Sequence, residues 1–549
     1  MTHVSPFAGL APELTDLVDI SSLLGAYDSK QPDPSIASQL VQFGTSGHRG
    51  SSLDHGFNRN HILAMSQAIC FYRKKNNISG PLFLGFDTHA LSLPAFQTTL
   101  QVLAANQVQV MIAQNQEFTP TPVISHAILC YNQGRIEGLA DGIVITPSHN
   151  PPQEGGFKYN AVHGGPAEKE ITDWIQNHAN ELLKNQLKGV QQISFSQAIK
   201  ASTTRPYDFI TPYVHDLANI IDMDVIRESK IKVAIDPLGG AGVHYWEPIA
   251  DFYKIDLTVL NQKVDPQFAF MTRDWDGQIR MDPSSPYAMR SVIQKAKQFD
   301  ITCACDTDHD RHGIVTPDGT LIPANHYLSA AIAYLFKNRP LWPSHLKIGK
   351  TLVSSQMIDR IAKHLERTLY EVPVGFKWFV DGLHHAQIGF AGEESAGATF
   401  LRKNGKVWTT DKDAFVPALL SAEMTAKLGK DPAAFYLELT KSLGNPIYMR
   451  VEASANAKQK KQLSSLSEQQ MDLKVLGGDQ VQKILTKAPG NGASLGGIKI
   501  ETNNGWIAAR PSGTEDVYKI YAESFLNDQH LDALIEDGQR FVKQIFDQA

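Results

Sequence analysis

Three aspartates stand at alternate positions in Cys305-Asp306-Thr307-Asp308-His309-Asp310-Arg311-His312-Gly313. Carboxylates this close repel one another unless a cation sits among them. An all-oxygen donor set favours Mg²⁺ or Ca²⁺. The calcium EF-hand is excluded, because its sixth and twelfth positions require Gly and Glu and here carry Arg311 and Pro317. Three protein oxygens leave room for phosphate or water, which suits Mg²⁺. Arg311 beside a metal-bound phosphate would be a natural bidentate partner. The competing reading is a solvated acidic turn.

A second loop joins an apolar run to a serine bracketed by prolines: Gly142-Ile143-Val144-Ile145-Thr146-Pro147-Ser148-His149-Asn150-Pro151-Pro152, then Gly156-Phe157-Lys158. Pro147 fixes its own φ, and Pro151 pushes Asn150 away from helical geometry, so Ser148 is presented on a stiff turn. A serine hydroxyl needs a base, a metal or a strong electrophile before it becomes a nucleophile. No GxSxG elbow surrounds it, so a hydrolase triad is not indicated. A serine that only caps a turn is the alternative. His149 adjoins it and is the one histidine read as chemical rather than packed or solvated.

Two further loops could grip a substrate. Glu393 and Ser395, in Gly392-Glu393-Glu394-Ser395-Ala396-Gly397, could bond neighbouring hydroxyls of a sugar, or the run could be a helix start. Upstream, Lys377 is either an exposed cation or a phosphate contact. Arg510, Ser512, Gly513 and Thr514, in Ala509-Arg510-Pro511-Ser512-Gly513-Thr514-Glu515, could wrap a phosphate with side chains and backbone N–H groups. Gly349-Lys350-Thr351 is not a P-loop, because Ser344 stands where its first glycine belongs.

Chemistry in open α/β sheets gathers after the carboxyl ends of strands, and the chain has the strands to place these loops. Short apolar runs alternate with amphipathic stretches, the pattern of βαβ units. The spacing predicts strands at 82–86, 108–113 and 142–145, at 231–235, 257–260 and 301–305, and at 348–354, 369–374 and 388–390. Beyond about residue 443 come strands at 448–451 and 498–501 and a closing amphipathic helix through Leu531, Leu534, Ile535, Val542, Ile545 and Phe546. The expected fold is α/β: three consecutive α/β domains with mixed sheets and a smaller C-terminal α+β domain. The expected domains are 1–205 with the serine loop, 206–324 with the metal loop, 325–443 with the sugar loop, and 444–549 with the phosphate loop.

With 549 residues, of which 42% are hydrophobic and 20% charged, the chain reads as about four globular domains. A net charge of −6 argues against nucleic acid or an anionic membrane as the main partner. No run of about 18 apolar residues occurs, so no membrane span is expected. The four cysteines, Cys70, Cys130, Cys303 and Cys305, lie in apolar stretches and read as small buried residues of a reducing compartment. A cytoplasmic location is expected.

The serine, DxDxD, GEES and RPSGTE loops, in that order, resemble the α-D-phosphohexomutase superfamily. So does Phe43-Gly44-Thr45-Ser46-Gly47-His48-Arg49-Gly50. GEESAG, in place of GEMSGH or GEQSGH, is similar to the bacterial phosphoglucomutase branch. The resemblance implies that Ser148 carries a phosphoryl group and that Mg²⁺ is held by Asp306, Asp308, Asp310 and a phosphoserine oxygen. Arg49 and Lys158 match the family's active-site basic residues, Lys158 lying ten residues after the serine. Lys158, His149, Arg49 and Lys377 are all candidates for general acid and base. Glu393 and Ser395 would bind sugar hydroxyls, and Arg510, Ser512, Gly513 and Thr514 the non-reacting phosphate, in a central cleft between the four domains. The expected reaction interconverts glucose 1-phosphate and glucose 6-phosphate through glucose 1,6-bisphosphate, with a phosphosugar as the only partner and a monomer or homodimer as the working state. Mannose or glucosamine phosphate as substrate, and a non-catalytic sugar-phosphate binder, are the alternatives.

Overall fold

The structure, a computed structural model, describes residues 4–44, 47–466, 473–512 and 516–547. It divides into two compact units, Val4–Ile322 with Ala396–Asp431, and Pro323–Ser395 with Pro432–Ala549. The larger unit carries the first two sheets. Strands β1 (His48–Ser51), β2 (Leu82–Phe86), β3 (Val110–Ala113), β4 (Asp141–Ile145), β5 (Glu154–Asn160) and β6 (Thr204–Tyr207) run in the order β1-β5-β4-β2-β3-β6. Pairings β4/β2, β2/β3 and β3/β6 are parallel, whereas β5 is antiparallel to both β4 and β1. All five residues of β2 and of β4 are buried, as expected of central strands covered on both faces.

One of the covering helices shows how sequence fixes its ends. At the start of Arg59–Lys75 the Asn58 amide donates to His61 Nδ1 at 3.1 Å, and Arg73, Lys74 and Lys75 occupy the last turn, where positive charge suits the helix dipole. Arg73 is buried and pairs with Asp141 at the start of β4, and Tyr159 Oη donates to the same carboxylate at 2.7 Å. A buried ion pair thus sets the strand that feeds the serine loop.

The second sheet has the order β10-β9-β7-β8, from β7 (Val233–Asp236), β8 (Leu257–Val259), β9 (Ile301–Cys305) and β10 (His312–Val315). Strands β7 and β9 are parallel, and β10 folds back antiparallel to β9, so the three aspartates fill the turn between them.

In the smaller unit, β11 (Lys347–Thr351) lies parallel between β12 (Leu369–Val372) and β13 (Ile388–Glu393). The chain then forms β14 (Gly397–Phe400). GEES is therefore the turn between two strands, and the helix-start alternative is corrected. The C-terminal strands are β15 (Ile447–Ser454), β16 (Val475–Leu476), β17 (Asp479–Lys487), β18 (Ser494–Thr502), β19 (Gly505–Pro511) and β20 (Val517–Ser524). They form one antiparallel sheet ordered β15-β20-β19-β18-β17-β16, against which Asp528–Asp547 packs Leu531, Leu534, Ile535 and Val542. Three α/β layers and an α+β domain are the observed fold class.

A buried charge cluster lies within this smaller unit. Lys499 on β18, fully buried, reaches Glu371 on β12 at 3.0 and 3.1 Å and Glu501 at 3.1 Å, while Lys350 lies 3.3 Å from Glu371. Burial alone would raise the Glu371 pKa, but Lys499 and Lys350 bring it below the ordinary value. Removing one member of such a cluster strands the others in low dielectric. Lys499→Met should therefore lower the unfolding free energy by about 3–5 kcal/mol, readable as a shift in the urea midpoint.

Of the cysteines, Cys70, Cys303 and Cys305 are buried as expected, but Cys130 is exposed. It falls on the last turn of Thr121–Asn132, where the helix leaves the core, and the apolar pattern does not register that exit. Among the described residues no helix is long and apolar enough to cross a membrane.

Candidate active site

Ser148 lies in the turn just beyond β4 with φ of 61°, a left-handed conformation unusual for a residue with a side chain. Its loop is held from several directions. Ser148 N donates to Thr146 Oγ1 at 2.8 Å, and Thr146 Oγ1 donates to Asp87 Oδ2 at 2.6 Å. Asp87 also pairs with His89 Nδ1 at 2.9 Å, and His89 Nε2 lies 3.0 Å from the Asn150 carbonyl. Arg49 Nη1 donates to Asn150 Oδ1 at 3.0 Å, and Thr307 Oγ1 donates to the Ser148 carbonyl. Gly156 permits the close crossing of β5, since a Cβ there would stand 2.0 Å from the Thr146 carbonyl oxygen. Strain of this kind persists only where the surroundings over-determine it.

Ser148 is 1% exposed, and its hydroxyl donates to Asp306 Oδ2 at 2.7 Å, with His149 Nδ1 at 3.4 Å. Asp306 also ties its own loop, accepting at Oδ1 from the amides of Asp310 and Arg311 at 2.9 and 3.0 Å. Asp308 Oδ2 accepts from Lys158 Nζ and from Thr121 Oγ1, both at 2.6 Å. Asp310 Oδ2 receives Lys158 Nζ at 3.2 Å and Lys412 Nζ at 3.0 Å. Arg311 Nε lies 3.8 Å from Asp310 Oδ1.

Charge explains the protonation of these groups. Burial, then Asp308 and Asp310, push the Asp306 carboxyl well above its ordinary value. Burial would neutralise Lys158, but Asp308 and Asp310 outweigh it and hold the ammonium charged. His149 is driven well below its ordinary value, first by burial and then by Arg311, Arg49 and Arg280, so its imidazole is neutral. His309 is also neutral, its pKa lowered to about 3 by burial. It accepts from Trp246 Nε1 at 3.3 Å and leans on Phe415, so it is a packing residue. Gly242 leaves the room, as a Cβ there would come within 2.1 Å of the His309 ring.

The smaller unit holds the remaining predicted residues. Glu393, at the end of β13, is buried and accepts from Gly375 N at 3.0 Å, which ties the sugar loop to the backbone two residues before Lys377. Lys377 and Ser395 are half-buried, and the Lys377 ammonium lies 5.4 Å from the Trp378 ring. Arg510 is on β19, and Ser512 N donates to the Val517 carbonyl at 2.9 Å, closing the neck of the fourth loop. The Tyr521 phenol feels Glu394 and Arg510 together, so the GEES and RPSGTE loops face a common side chain. Gly513 and Thr514 lie outside the described residues.

Profiles of four domains of one family match this chain. They are the phosphoglucomutase/phosphomannomutase α/β/α domain I over residues 40–186, domain II over 211–319, domain III over 323–443, and the C-terminal domain over 452–538. A phosphoglucomutase of Komagataeibacter xylinus is 55% identical over 549 residues, covering 100% of this chain and 99% of its own. The chain belongs to the phosphoglucomutase/phosphomannomutase family. Solved members share the fold. Parafusin, a phosphoglucomutase of Paramecium, superposes with a TM-score of 0.72 at 20% identity, over 94% of this chain and 96% of its own. A phosphoglucomutase/phosphomannomutase family protein of Burkholderia thailandensis gives 0.69 at 20% identity, over 92% and 98%.

The acidic loop of this family member fits a divalent cation. One ligand atom from each of Asp306, Asp308 and Asp310 lies within 4.8 Å of the others. Asp308 Oδ1 and Asp310 Oδ1 are buried oxygens without a hydrogen-bond partner among the described residues. Such orphaned acceptors are costly unless a positive centre takes them up. Thr121, Lys412 and the Asp87–His89 pair were not singled out from the sequence, because their roles come from tertiary contact. Only Lys412 carries a local sign, standing between Asp411 and Asp413.

Proposed function

We propose that this family member is a phosphoglucomutase that interconverts α-D-glucose 1-phosphate and glucose 6-phosphate through phosphorylated Ser148. The observation that carries the reading is the Ser148 hydroxyl, 2.7 Å from Asp306 at the edge of a buried carboxylate trio with two orphaned oxygens. The choice of glucose is supported by GEESAG and by the full-length relative of that name. The domains are proposed as 1–205, 206–324, 325–443 and 444–549.

Asp306, Asp308 and Asp310 would hold Mg²⁺ together with an oxygen of the seryl phosphate. When bound, the ion supplies positive charge to the phosphoryl oxygens. The chain's own residues do the rest. Lys158, kept cationic by the aspartates, and Arg49 and Arg311 add fixed positive charge around the serine. His149 is neutral, so its Nδ1, 3.4 Å from Ser148 Oγ, can share a hydrogen bond with that oxygen. It and Lys158 are the acid–base pair proposed for the serine side, with Arg49 assisting.

Transfer breaks the Ser148 Oγ–P bond and forms a P–O bond to the free sugar hydroxyl, whose proton passes to the base. The product, glucose 1,6-bisphosphate, serves as intermediate and as activator. It reverses its orientation and returns its other phosphoryl group to Ser148. Such transfer depends on charge stabilisation and in-line positioning. Glu393 and Ser395 bind sugar hydroxyls, Lys377 contacts phosphate, and Arg510, Ser512, Gly513 and Thr514 grip the phosphate that is not reacting. Protein in solution as a monomer or homodimer, in the cytoplasm, completes the proposal.

The test is conversion of glucose 1-phosphate with Mg²⁺ and trace glucose 1,6-bisphosphate, with mannose 1-phosphate run in parallel. Fast glucose turnover with slow mannose turnover is expected. Equal rates would remove the sugar assignment, and no turnover of either sugar, or of glucosamine 1-phosphate, would remove the mutase. Arg510→Ala should raise KM for both glucose phosphates roughly 10- to 100-fold, the scale of a lost charge-assisted contact of about 1.5–3 kcal/mol. An unchanged KM in steady-state assays would take the fourth loop out of the site.

A further inference from the structure

Cys130 has neighbours that change its chemistry. His126, one helical turn earlier, brings Nε2 to 3.6 Å and Nδ1 to 3.8 Å from the Cys130 sulfur. The same ring lies 2.7 Å from Asp216 Oδ2, and Arg402 pairs with the other oxygen of Asp216. The imidazole is clamped by Tyr213 and Trp408 at 5.3 and 4.8 Å, and the Arg402 guanidinium lies over Trp408 at 4.9 Å. A buried imidazole, held by a carboxylate at Nε2, therefore lies within 3.8 Å of the sulfur of an exposed cysteine and places its charge beside it.

We propose that Cys130 is a reactive thiolate, paired with the His126 imidazolium, and a modification site for small disulfides. The same three side chains could be read as metal ligands, but Arg402 places a fixed positive charge on Asp216 and opposes a cation there. The groups facing the sulfur are His126, Asp216, Arg402 and Tyr207. Burial raises the thiol pKa, but the His126 hydrogen bond and charge, followed by Arg402, lower it below the ordinary value against the opposition of Asp216. Burial would discharge His126, yet Asp216 and Cys130 raise it to about 9. Tyr207 is raised by burial and then by the sulfur, so it stays a neutral phenol. The other cysteines go the opposite way: burial pushes Cys70 and Cys303 up to about 12 and Cys305 well above its usual range.

The reaction needs only the disulfide. The Cys130 thiolate attacks one sulfur, a new S–S bond forms as the old one breaks, and the departing thiolate takes a proton from solvent. The sulfur stands at the far end of the helix whose first residue, Thr121, bonds Asp308, so it lies apart from the serine.

The experiment treats the intact native protein with an aromatic disulfide that releases a coloured thiolate, and follows rate against pH. One fast equivalent per chain is expected, mapped to Cys130 by peptide mass and lost in Cys130→Ser. Its pH midpoint should fall below the ~8.5 of an ordinary thiol. His126→Gln should return the midpoint to that value or higher and slow the reaction near neutrality about fivefold or more. Because His126 is buried, a second measurement needs no change there: the thiolate ultraviolet absorbance of the native protein minus that of Cys130→Ser, titrated with pH, should give the same low midpoint. A midpoint at or above the ordinary value in that titration overturns the proposal. So does a fast label on another cysteine, or an unaltered profile in a natively folded His126→Gln protein.

Discussion

Ser148→Ala is expected to lose turnover by roughly 10⁴-fold or more, the scale on which a covalent nucleophile acts. It should also take up no phosphoryl group from labelled glucose 1,6-bisphosphate. The substitution removes one oxygen and little else. Ser148 N still donates to Thr146, and the Ser148 carbonyl still receives Thr307. The left-handed φ of 61° is as strained for Ala as for Ser. Ser148→Gly relieves that strain and supplies the control: it should be at least as stable as the wild type at this turn and just as inactive. Circular dichroism separates loss of fold from loss of chemistry. Undiminished turnover in either variant, or phosphoryl uptake at another residue, would dismiss Ser148 as the carrier.

The loops with chemistry were readable because local sequence constrains them. Pro147 and Pro151 stiffen the serine turn, and DxDxD directly follows the apolar run Ile301–Cys305, which is β9. The central strands were found within a few residues, since runs such as Leu82–Phe86 are buried on both faces. Their ends were less exact. Apolar residues continue past the last sheet pairing, so the run predicted at 348–354 pairs as a strand only over Lys347–Thr351.

Partners arriving from elsewhere in the chain were not readable. Lys412 reaches Asp310, and Thr121 reaches Asp308, only through folding. Histidines needed the same information. His149 and His309 both lose their charge by burial, but only His149 has a serine hydroxyl beside it. Cys130 was misread because a hydropathy pattern records which helix face is apolar and not where the helix leaves the core.

The second large effect is expected at Asp308, whose two oxygens do different things. Oδ2 is occupied by Lys158 and Thr121, whereas buried Oδ1 has no hydrogen-bond partner among the described residues. Asp308→Asn preserves shape and can still accept the Thr121 hydroxyl, but it removes the charge that a cation and Lys158 both use. We expect kcat to fall roughly 10²–10³-fold, comparable to losing one preorganised electrostatic contact at a transition state. The Mg²⁺ concentration giving half-maximal rate should rise, and Mn²⁺ binding followed by electron paramagnetic resonance should weaken in parallel. Chelation of the wild type should abolish activity, and added Mg²⁺ should restore it. Lys158 retains Asp310 at 3.2 Å, so its ammonium is not stranded and the fold should survive. If Asp308→Asn kept both its rate and its metal dependence, the orphaned oxygen would have no ion to serve, and the three aspartates would be only a structural turn between β9 and β10. The same result in Thr121→Val would be uninformative about the ion, since Thr121 only orients Asp308 through Oδ2, and this asymmetry makes the aspartate the decisive position.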